Sequence, residues 1–318
     1  MPSARAPAGR TRLSPPAGIV LALGAGGAQG IAHVGVLQVL AEHGIPVRAV
    51  AGTSIGAEIG AFLASGMDAA AITSLATRFD WKQTLQLFMP DLAAGGLVSG
   101  QNIVDFLHDA LGRTRIEELP LGYVAVATDL DRGEQVVFDS GSTVDAVRAS
   151  ISIPGLIAPF ELDGRLLIDG SVVNPLPVDV ALARFGRPIV AVAVDAASQR
   201  RADRALPMPV GPGSPIPALA PKQRSVPARR ALVAQVAAPG PLHRSWSTMR
   251  VLERALAVTR VELVRQRLLH APPDLTIAPA VQDIGLLEFY RADEAIAAGR
   301  RAALDALPAI VRLTYPGA

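Results

Sequence analysis

A serine framed by glycines is the first candidate for chemistry in this chain. The segment Gly52-Thr53-Ser54-Ile55-Gly56 follows a short apolar run and precedes an apolar, helix-like segment. Glycines two positions before and two positions after a serine permit the sharp strand-to-helix turn of a nucleophile elbow, because neither carries a Cβ atom. Such a turn would expose the Ser54 hydroxyl at the N-terminus of the following helix, which makes Ser54 a candidate nucleophile.

A glycine-rich turn precedes this elbow in the chain. It reads Gly24-Ala25-Gly26-Gly27-Ala28-Gln29-Gly30 and lies between an apolar run and a helix-like pattern. The turn would present backbone amides and a helix N-terminus to a negative charge. We expect the amides of Gly26, Gly27 and Ala28 to form an oxyanion hole for acyl transfer. A dinucleotide-binding loop would need glycine where Gln29 stands, and a Walker A loop would need a Gly-Lys pair that is absent.

A serine nucleophile requires a base, and the histidines of this chain are poor candidates for that role. None of the five follows a strand as a triad histidine would: His33, His43, His108, His243 and His270. Asp169 is the better candidate, because it ends the run Arg165-Leu166-Leu167-Ile168 and opens the exposed turn Asp169-Gly170-Ser171. A carboxylate is a weak base, so burial would have to raise the pKa of Asp169 toward the working pH. A turn-capping aspartate is the alternative interpretation.

Short β-like runs alternate with helical patterns from residue 18 to about residue 195, and these elements position both turns. The predicted strands are Ile19–Leu23, Val47–Ala51, Gly122–Asp129, Glu134–Asp139, Arg165–Asp169 and Pro188–Val194. The predicted helices are 31–43, 55–65, 68–79, 101–111, 143–149 and 177–185. This alternation predicts an α/β fold with a mostly parallel sheet covered by helices on both faces. The strands at 134–139 and 165–169 are alternatively interpreted as antiparallel additions at one edge.

Composition divides the rest of the chain. Residues 1–17 predict a flexible N-terminal tail ahead of a catalytic core over residues 18–197. Residues 198–245 are rich in proline and arginine and predict a mobile insertion, since they cannot bury enough apolar area to offset their ordering entropy. A basic loop that contacts anionic phosphates or a membrane is the alternative. Residues 246–318 are predicted to pack on the core through a helix at 246–269, a strand at 274–278 and a helix at 292–307.

Composition also limits the class of protein. The chain has 318 residues, of which 50% are hydrophobic and 18% charged, so a compact globule is expected. The absence of cysteine excludes disulfides, thiolate chemistry and cysteine-ligated zinc. A formal net charge of +2 gives no reason to expect a nucleic-acid partner. No apolar run approaches the roughly 20 residues that cross a bilayer, and we expect a cytoplasmic protein, with peripheral membrane contact and a mitochondrial presequence as open alternatives.

Four ordered blocks of this sequence resemble the patatin-like phospholipases. They are the glycine-rich turn 24–30, the elbow 52–56 and the segments 146–155 and 169–177. The resemblance covers roughly residues 18–195. Among members of the family, the chain looks most like the short bacterial group related to neuropathy target esterase. It implies a three-layer α/β/α fold and a Ser-Asp dyad, in which Ser54 is the nucleophile and Asp169 the general base. It also implies hydrolysis of fatty acyl esters of lipids through a serine acyl-enzyme, without a metal or another cofactor.

This sequence departs from the family pattern at three positions. Ala25 replaces a glycine, Gln29 replaces a cationic residue, and Ser171 replaces glycine or alanine after the Asp-Gly pair. Loss of the cation would weaken electrostatic stabilisation of an oxyanion, although the backbone donors remain. A weakly active or inactive lipid-binding or regulatory protein on the same scaffold is therefore an alternative function. A standard α/β-hydrolase with a histidine triad is another, disfavoured because only one β unit precedes Ser54.

Overall fold

A single sheet organises the protein. The computed structural model describes residues 18–78, 98, 100–194 and 248–315. Its strands are β1 (Ile19–Leu23), β2 (Val47–Thr53), β3 (Gly122–Asp129), β4 (Glu134–Phe138), β5 (Phe160–Leu162), β6 (Arg165–Asp169), β7 (Ile189–Val192) and β8 (Leu275–Ile277). In the described residues they form an eight-stranded sheet in the order β5-β6-β3-β2-β1-β7-β8, with β4 paired to β3.

The strand directions confirm the prediction of a mostly parallel sheet. β1 pairs in parallel with β2 and β7, β2 with β3, and β7 with β8. β4 and β6 both pair antiparallel with β3, so the interpretation of these two strands as antiparallel additions is also confirmed. β5 was not predicted and pairs antiparallel with β6.

Helices cover both faces of the sheet. They are α1 (Ala32–Glu42), α2 (Ile55–Ala64), α3 (Ala69–Ala76), α4 (Gln101–Leu111), α5 (Thr143–Ser150), α6 (Val178–Phe185), α7 (Thr248–His270) and α8 (Ala292–Thr314). Alternate residues of β1 enter different cores: Leu21 packs with residues of α1, α2 and α8, whereas Val20 and Ala22 pack with residues of α6 and α7. Side chains of a strand alternate between the two faces, so this division shows the predicted three-layer α/β/α architecture.

Most predicted elements occur where they were expected, and the differences lie at their ends. The final helix was predicted to end at residue 307 but continues to Thr314, with Pro308 inside it. The predicted tail at 1–17 and the predicted insertion at 198–245 lie outside the described residues. Among the helices that the structure describes, none combines the length and the apolar character that crossing a bilayer requires.

Candidate active site

Ser54 and Asp169 lie in direct contact. The Ser54 hydroxyl donates a hydrogen bond of 2.5 Å to Oδ2 of Asp169. Both residues are buried, with 4% of Ser54 and 1% of Asp169 exposed. Two side chains that are 115 positions apart in the sequence therefore form one buried acid–hydroxyl pair.

The sheet register explains why these two residues meet. β4 occupies one edge of β3 along residues 125–129, so the other edge is left for β2 and β6. β2 pairs there up to Thr53, opposite Val126, and β6 pairs from Asp169, opposite Ala127. Because β2 runs parallel and β6 antiparallel to β3, the carboxyl ends of β2 and β6 meet head to head. Ser54 follows the end of β2 directly, which brings it to Asp169.

The turn at Ser54 has the geometry of a nucleophile elbow. Ser54 has φ 57° and ψ −128°, a conformation that costs a residue with a side chain about 1–3 kcal/mol. A Cβ atom on Gly52 would overlap the carbonyl oxygen of Gly56, and one on Gly56 would overlap the carbonyl oxygen of Leu23. The glycines are required because the helix that starts after Ser54 packs directly against β1 and β2.

The environment of Asp169 adjusts the basicity of its carboxylate. Burial raises the pKa of Asp169, while hydrogen bonds from the Ser54 hydroxyl and from Ser171, together with the charge of Arg260, lower it in part. The Ser171 amide donates to Oδ1 at 2.7 Å, so the Ser54 hydroxyl and the Ser171 amide bind different carboxylate oxygens. A raised pKa improves a carboxylate as a proton acceptor at neutral pH.

The glycine-rich turn lies beside Ser54 and carries unpaired amides. The amides of Gly26 and Gly27 make no hydrogen bond within the part of the chain that the structure describes. Gly27 has φ 55°, and an added Cβ would lie 2.5 Å from the carbonyl oxygen of Leu286. Both glycines line the cavity that contains Ser54 and Asp169. The turn can therefore offer backbone donors to a negative charge at the serine.

The expectation for Ala28 requires a correction. Its amide already donates a hydrogen bond of 2.9 Å to the carbonyl oxygen of Leu286, so it is not available to an oxyanion in this structure. The side chain of Gln29, at the position of the missing cation, donates to the carbonyl oxygen of Ile284 at 2.8 Å. Gln29 and the Ala28 amide thus tie the turn to the segment that precedes α8.

Other contacts hold the remaining residues of this turn in place. His33 is fully buried, and its Nε2 lies 2.8 Å from the carbonyl oxygen of Gly24. Burial lowers the pKa of His33 to about 4, so the ring is neutral and supports the turn as a core residue. The amide of Ala25 donates to the carbonyl oxygen of Pro175 at 2.9 Å, and Gly30 packs against Ile55.

Two serines of the 146–155 block organise the junction behind Ser54 and Asp169. The Ser150 hydroxyl accepts the Ser54 amide at 2.8 Å and donates to the carbonyl oxygen of Val126 at 2.6 Å. The Asp169 amide donates to the carbonyl oxygen of Ser152 at 2.9 Å. Ser150 therefore positions the elbow from behind, and the backbone of Ser152 fixes the residue that carries the carboxylate.

Two cavities meet at Ser54. The larger has a volume of about 510 Å³, within the usual range for ligand pockets, and is lined by the dyad, the glycine-rich turn and several polar residues of α7. The smaller, of about 80 Å³, runs between α2, α3 and α4 and has almost entirely apolar walls. Within the described ranges, no group of His, Asp and Glu residues is arranged to hold a metal ion.

Glu58 is the residue of this site that the sequence reasoning missed. It lies in the first turn of α2, lines the smaller cavity together with Ser54, and burial raises its pKa to about 7. The available signal was a single acidic residue in the otherwise apolar segment 55–64.

Known proteins resemble this chain over most of its length. The sequence profile of the patatin-like phospholipases matches residues 21–182. An uncharacterized NTE family protein of Mycobacterium tuberculosis is 34% identical over 340 aligned residues, which cover 94% of each chain. Lysophospholipase NTE1 of Saccharomyces cerevisiae is 35% identical over 188 residues, or 57% of this chain and 11% of the yeast protein. The crystal structure of VipD from Legionella pneumophila aligns with a TM-score of 0.46 and 16% identity, covering 92% of this chain and 67% of VipD.

An α/β/α sheet with an elbow serine and a glycine-rich turn at adjacent strand ends defines a class of proteins equipped for acyl transfer. The profile match and the mycobacterial relative place the chain within that class more narrowly. It belongs to the patatin-like phospholipase family.

Proposed function

We propose that this protein hydrolyses fatty acyl esters of lipids, with Ser54 as the nucleophile and Asp169 as the general base. The observation that carries the proposal is the 2.5 Å hydrogen bond from the Ser54 hydroxyl to the buried Asp169 carboxylate. Family membership supports a lipid ester as the substrate, since the matching profile is that of phospholipases and one relative is named a lysophospholipase.

The reaction proceeds through an acyl-enzyme. Asp169 Oδ2 accepts the proton of Ser54 Oγ as that oxygen attacks the ester carbonyl carbon. The amides of Gly26 and Gly27 donate to the oxyanion of the tetrahedral intermediate, a role in which one donor is worth about 3–4 kcal/mol of the barrier. The intermediate collapses, and the leaving alcohol takes the proton from Asp169. Water, deprotonated by Asp169, then attacks the acyl-enzyme, and the fatty acid leaves as Ser54 Oγ takes that proton back from Asp169.

The two cavities divide the substrate between them. The acyl chain enters the smaller cavity, because its described walls are apolar apart from Ser54 and Glu58. The alcohol portion occupies the larger cavity, where Arg254, Arg260 and Asp283 contribute polar surface. The ester bond then lies at Ser54, where the cavities meet.

Peripheral contact with a membrane is part of this proposal. Helix α7 lines the larger cavity through Leu252 and Leu256, and its apolar side chains Val251 and Val258 are 50% and 60% exposed. Exposed apolar side chains beside the entrance to a lipid site favour delivery of the substrate from a lipid surface.

The test combines labelling with turnover. A fluorophosphonate probe should label the wild-type protein but not Ser54→Ala, and hydrolysis of fatty acyl esters and lysophospholipids should fall at least about 10³-fold in both Ser54→Ala and Asp169→Ala. Ser74→Ala, a change at an exposed serine of α3, is the matched control and should keep both activities. Lipid binding by a wild-type protein that is neither labelled nor active would refute the proposal in favour of a binding or regulatory protein.

A further inference from the structure

The smaller cavity contains one polar group that ester hydrolysis does not require. The described residues that line it are Gly, Ala, Ile, Leu or Phe, apart from Ser54 and Glu58. Its volume of about 80 Å³ is several times the 10–15 Å³ that admits one water molecule. A plain hydrocarbon chain would be bound better by a uniformly apolar wall, so the carboxyl group needs a separate explanation.

Glu58 lies one helical turn beyond the nucleophile. Its amide donates to the carbonyl oxygen of Ser54 at 3.1 Å, in the first turn of α2. Four residues of an α-helix span about 6 Å, and helical side chains tilt toward the helix N-terminus. The Glu58 side chain is thereby directed back along the cavity toward Ser54, within reach of the first carbons of a bound acyl chain.

The Glu58 carboxyl group has no partner in the part of the chain that the structure describes. Its oxygens form no hydrogen bond or ion pair there. Tyr123 is a titratable neighbour, and burial together with the charge of Glu58 raises its pKa. The Tyr123 hydroxyl, however, donates its hydrogen bond to the carbonyl oxygen of Ala57 and not to Glu58. Burial raises the pKa of Glu58 to about 7. Below pH 7 the group is therefore mostly a neutral acid, able to donate one hydrogen bond and accept others.

Glu58 is only partly buried, so water in the cavity can satisfy its carboxyl group until an acyl chain displaces that water. A polar group that loses its water without gaining another partner is unfavourable. We propose that Glu58 binds a hydroxyl group on the acyl portion of the substrate, close to the ester carbonyl, so that the enzyme prefers hydroxylated acyl esters to unsubstituted ones. This inference rests on the proposed function and adds a substrate class to it. The acyl hydroxyl would satisfy the carboxyl group, whereas an unsubstituted chain would leave it unpaired.

The test compares two 4-nitrophenyl esters of the same chain length, one with a 3-hydroxyacyl group and one unsubstituted. In wild-type protein, kcat/KM should be about tenfold to a hundredfold higher for the hydroxylated ester, the factor that corresponds to one polar group left unpaired under the bound chain. Glu58→Leu should reverse the preference by lowering kcat/KM for the hydroxylated ester and raising it for the unsubstituted one. Glu58→Gln, which keeps hydrogen-bonding atoms, should retain a reduced preference. Glu134→Leu, the same change at an exposed residue of β4, should behave as wild type.

The outcomes distinguish a failure of this inference about Glu58 from a failure of the proposed ester hydrolysis on which it rests. Equal kcat/KM for the two esters in wild-type protein, unchanged in Glu58→Leu, would overturn the role of Glu58 and leave ester hydrolysis standing. Turnover of both esters no faster than by Ser54→Ala would overturn the proposed function, and the role of Glu58 with it. Thermal unfolding keeps the comparison interpretable, because replacing a partly buried carboxyl group in an apolar cavity by Leu should not lower Tm.

Discussion

Replacing Asp169 by Asn should separate activity from stability at this site. The amide has nearly the shape of the carboxylate, and its oxygen can still accept the Ser171 amide at the 2.7 Å position. It cannot take the proton of Ser54, because an amide nitrogen is not a base at neutral pH. General-base catalysis contributes about 10²–10⁴-fold, so we expect turnover to fall by at least that factor, or about 3–5 kcal/mol of the barrier.

The same variant should resist unfolding better than the wild type at neutral pH. Burial raises the pKa of Asp169 in the folded state above its value near 3.9 in an unfolded chain. Folded protein therefore binds the proton more tightly, and the free energy of unfolding falls as pH rises from about 4 through the folded-state pKa. Each unit of pKa difference corresponds to about 1.4 kcal/mol. Asn does not titrate, so the free energy of unfolding of Asp169→Asn should exceed that of the wild type from about pH 4 upward, and the difference should persist above the folded-state pKa of Asp169.

The assay measures ester turnover and urea unfolding between pH 4 and pH 8 for the wild type and for Asp169→Asn. Asp129→Asn is the matched control, since Asp129 is also buried but lies two residues beyond Ala127, the β3 residue opposite Asp169, and outside both cavities. Wild-type turnover should decline on the acid side at a pH above the usual pKa of an aspartate. An Asn variant that kept full turnover would refute the role of base, and one that lost stability across this pH range would refute the argument from burial.

Three further perturbations test other parts of the site. Ser150→Ala should lower the free energy of unfolding by about 2–5 kcal/mol in urea titrations and reduce kcat, because it leaves the Ser54 amide and the carbonyl oxygen of Val126 unpaired. A loss of stability without a loss of kcat would contradict a role of Ser150 in positioning Ser54. Gly27→Ala should reduce kcat by about 10²–10³-fold, since its Cβ would displace the turn from Leu286. The control is Gly44→Ala: Gly44 also has a positive φ of 62° but open space around it, so this change should lower the free energy of unfolding without changing kcat. In wild-type protein, KM for unsubstituted acyl esters should rise about tenfold per pH unit above pH 7 as Glu58 ionises. A KM that does not change with pH in this range, or the same rise in Glu58→Gln, would exclude Glu58 as the cause of the pH dependence.

The parts of this fold that the sequence predicted are those with local causes. β1, β3 and β6 have the bounds expected from their apolar runs, and α4 matches its predicted range. The elbow could be located because glycine spacing is a local requirement of the turn. β5 was missed because its three residues carry too little pattern. The helix predicted to end at residue 307 continues as α8 past Pro308 and buries Ile310.

The parts of the site that escaped prediction depend on contacts distant in the sequence. Nothing near Ala28 indicates that its amide binds the carbonyl oxygen of Leu286 from the opposite end of the chain. Glu58 resembles an ordinary first-turn acid on a helix, which the helix dipole favours. Only the packing of α3 and α4 against α2 encloses it in an apolar cavity. The sequence therefore predicts the candidate site residues that a local turn positions, such as Ser54, but not those whose environment is set by elements distant in the sequence, such as Glu58.

The junction of β2 and β6 also explains how an aspartate on a strand can reach the hydroxyl of Ser54. Where β2 gives way to β6, the carbonyl oxygen of Val126 accepts a hydrogen bond from the Ser150 hydroxyl, and the same hydroxyl accepts the Ser54 amide. Asp169 is fixed at two backbone atoms: its amide donates to Ser152, and its carbonyl oxygen accepts the Thr128 hydroxyl at 2.9 Å. With both backbones held this close, a side chain as short as that of aspartate reaches Ser54 Oγ. The sheet itself aligns the Ser54 hydroxyl with the Asp169 carboxylate, so the proposed dyad requires no histidine between them.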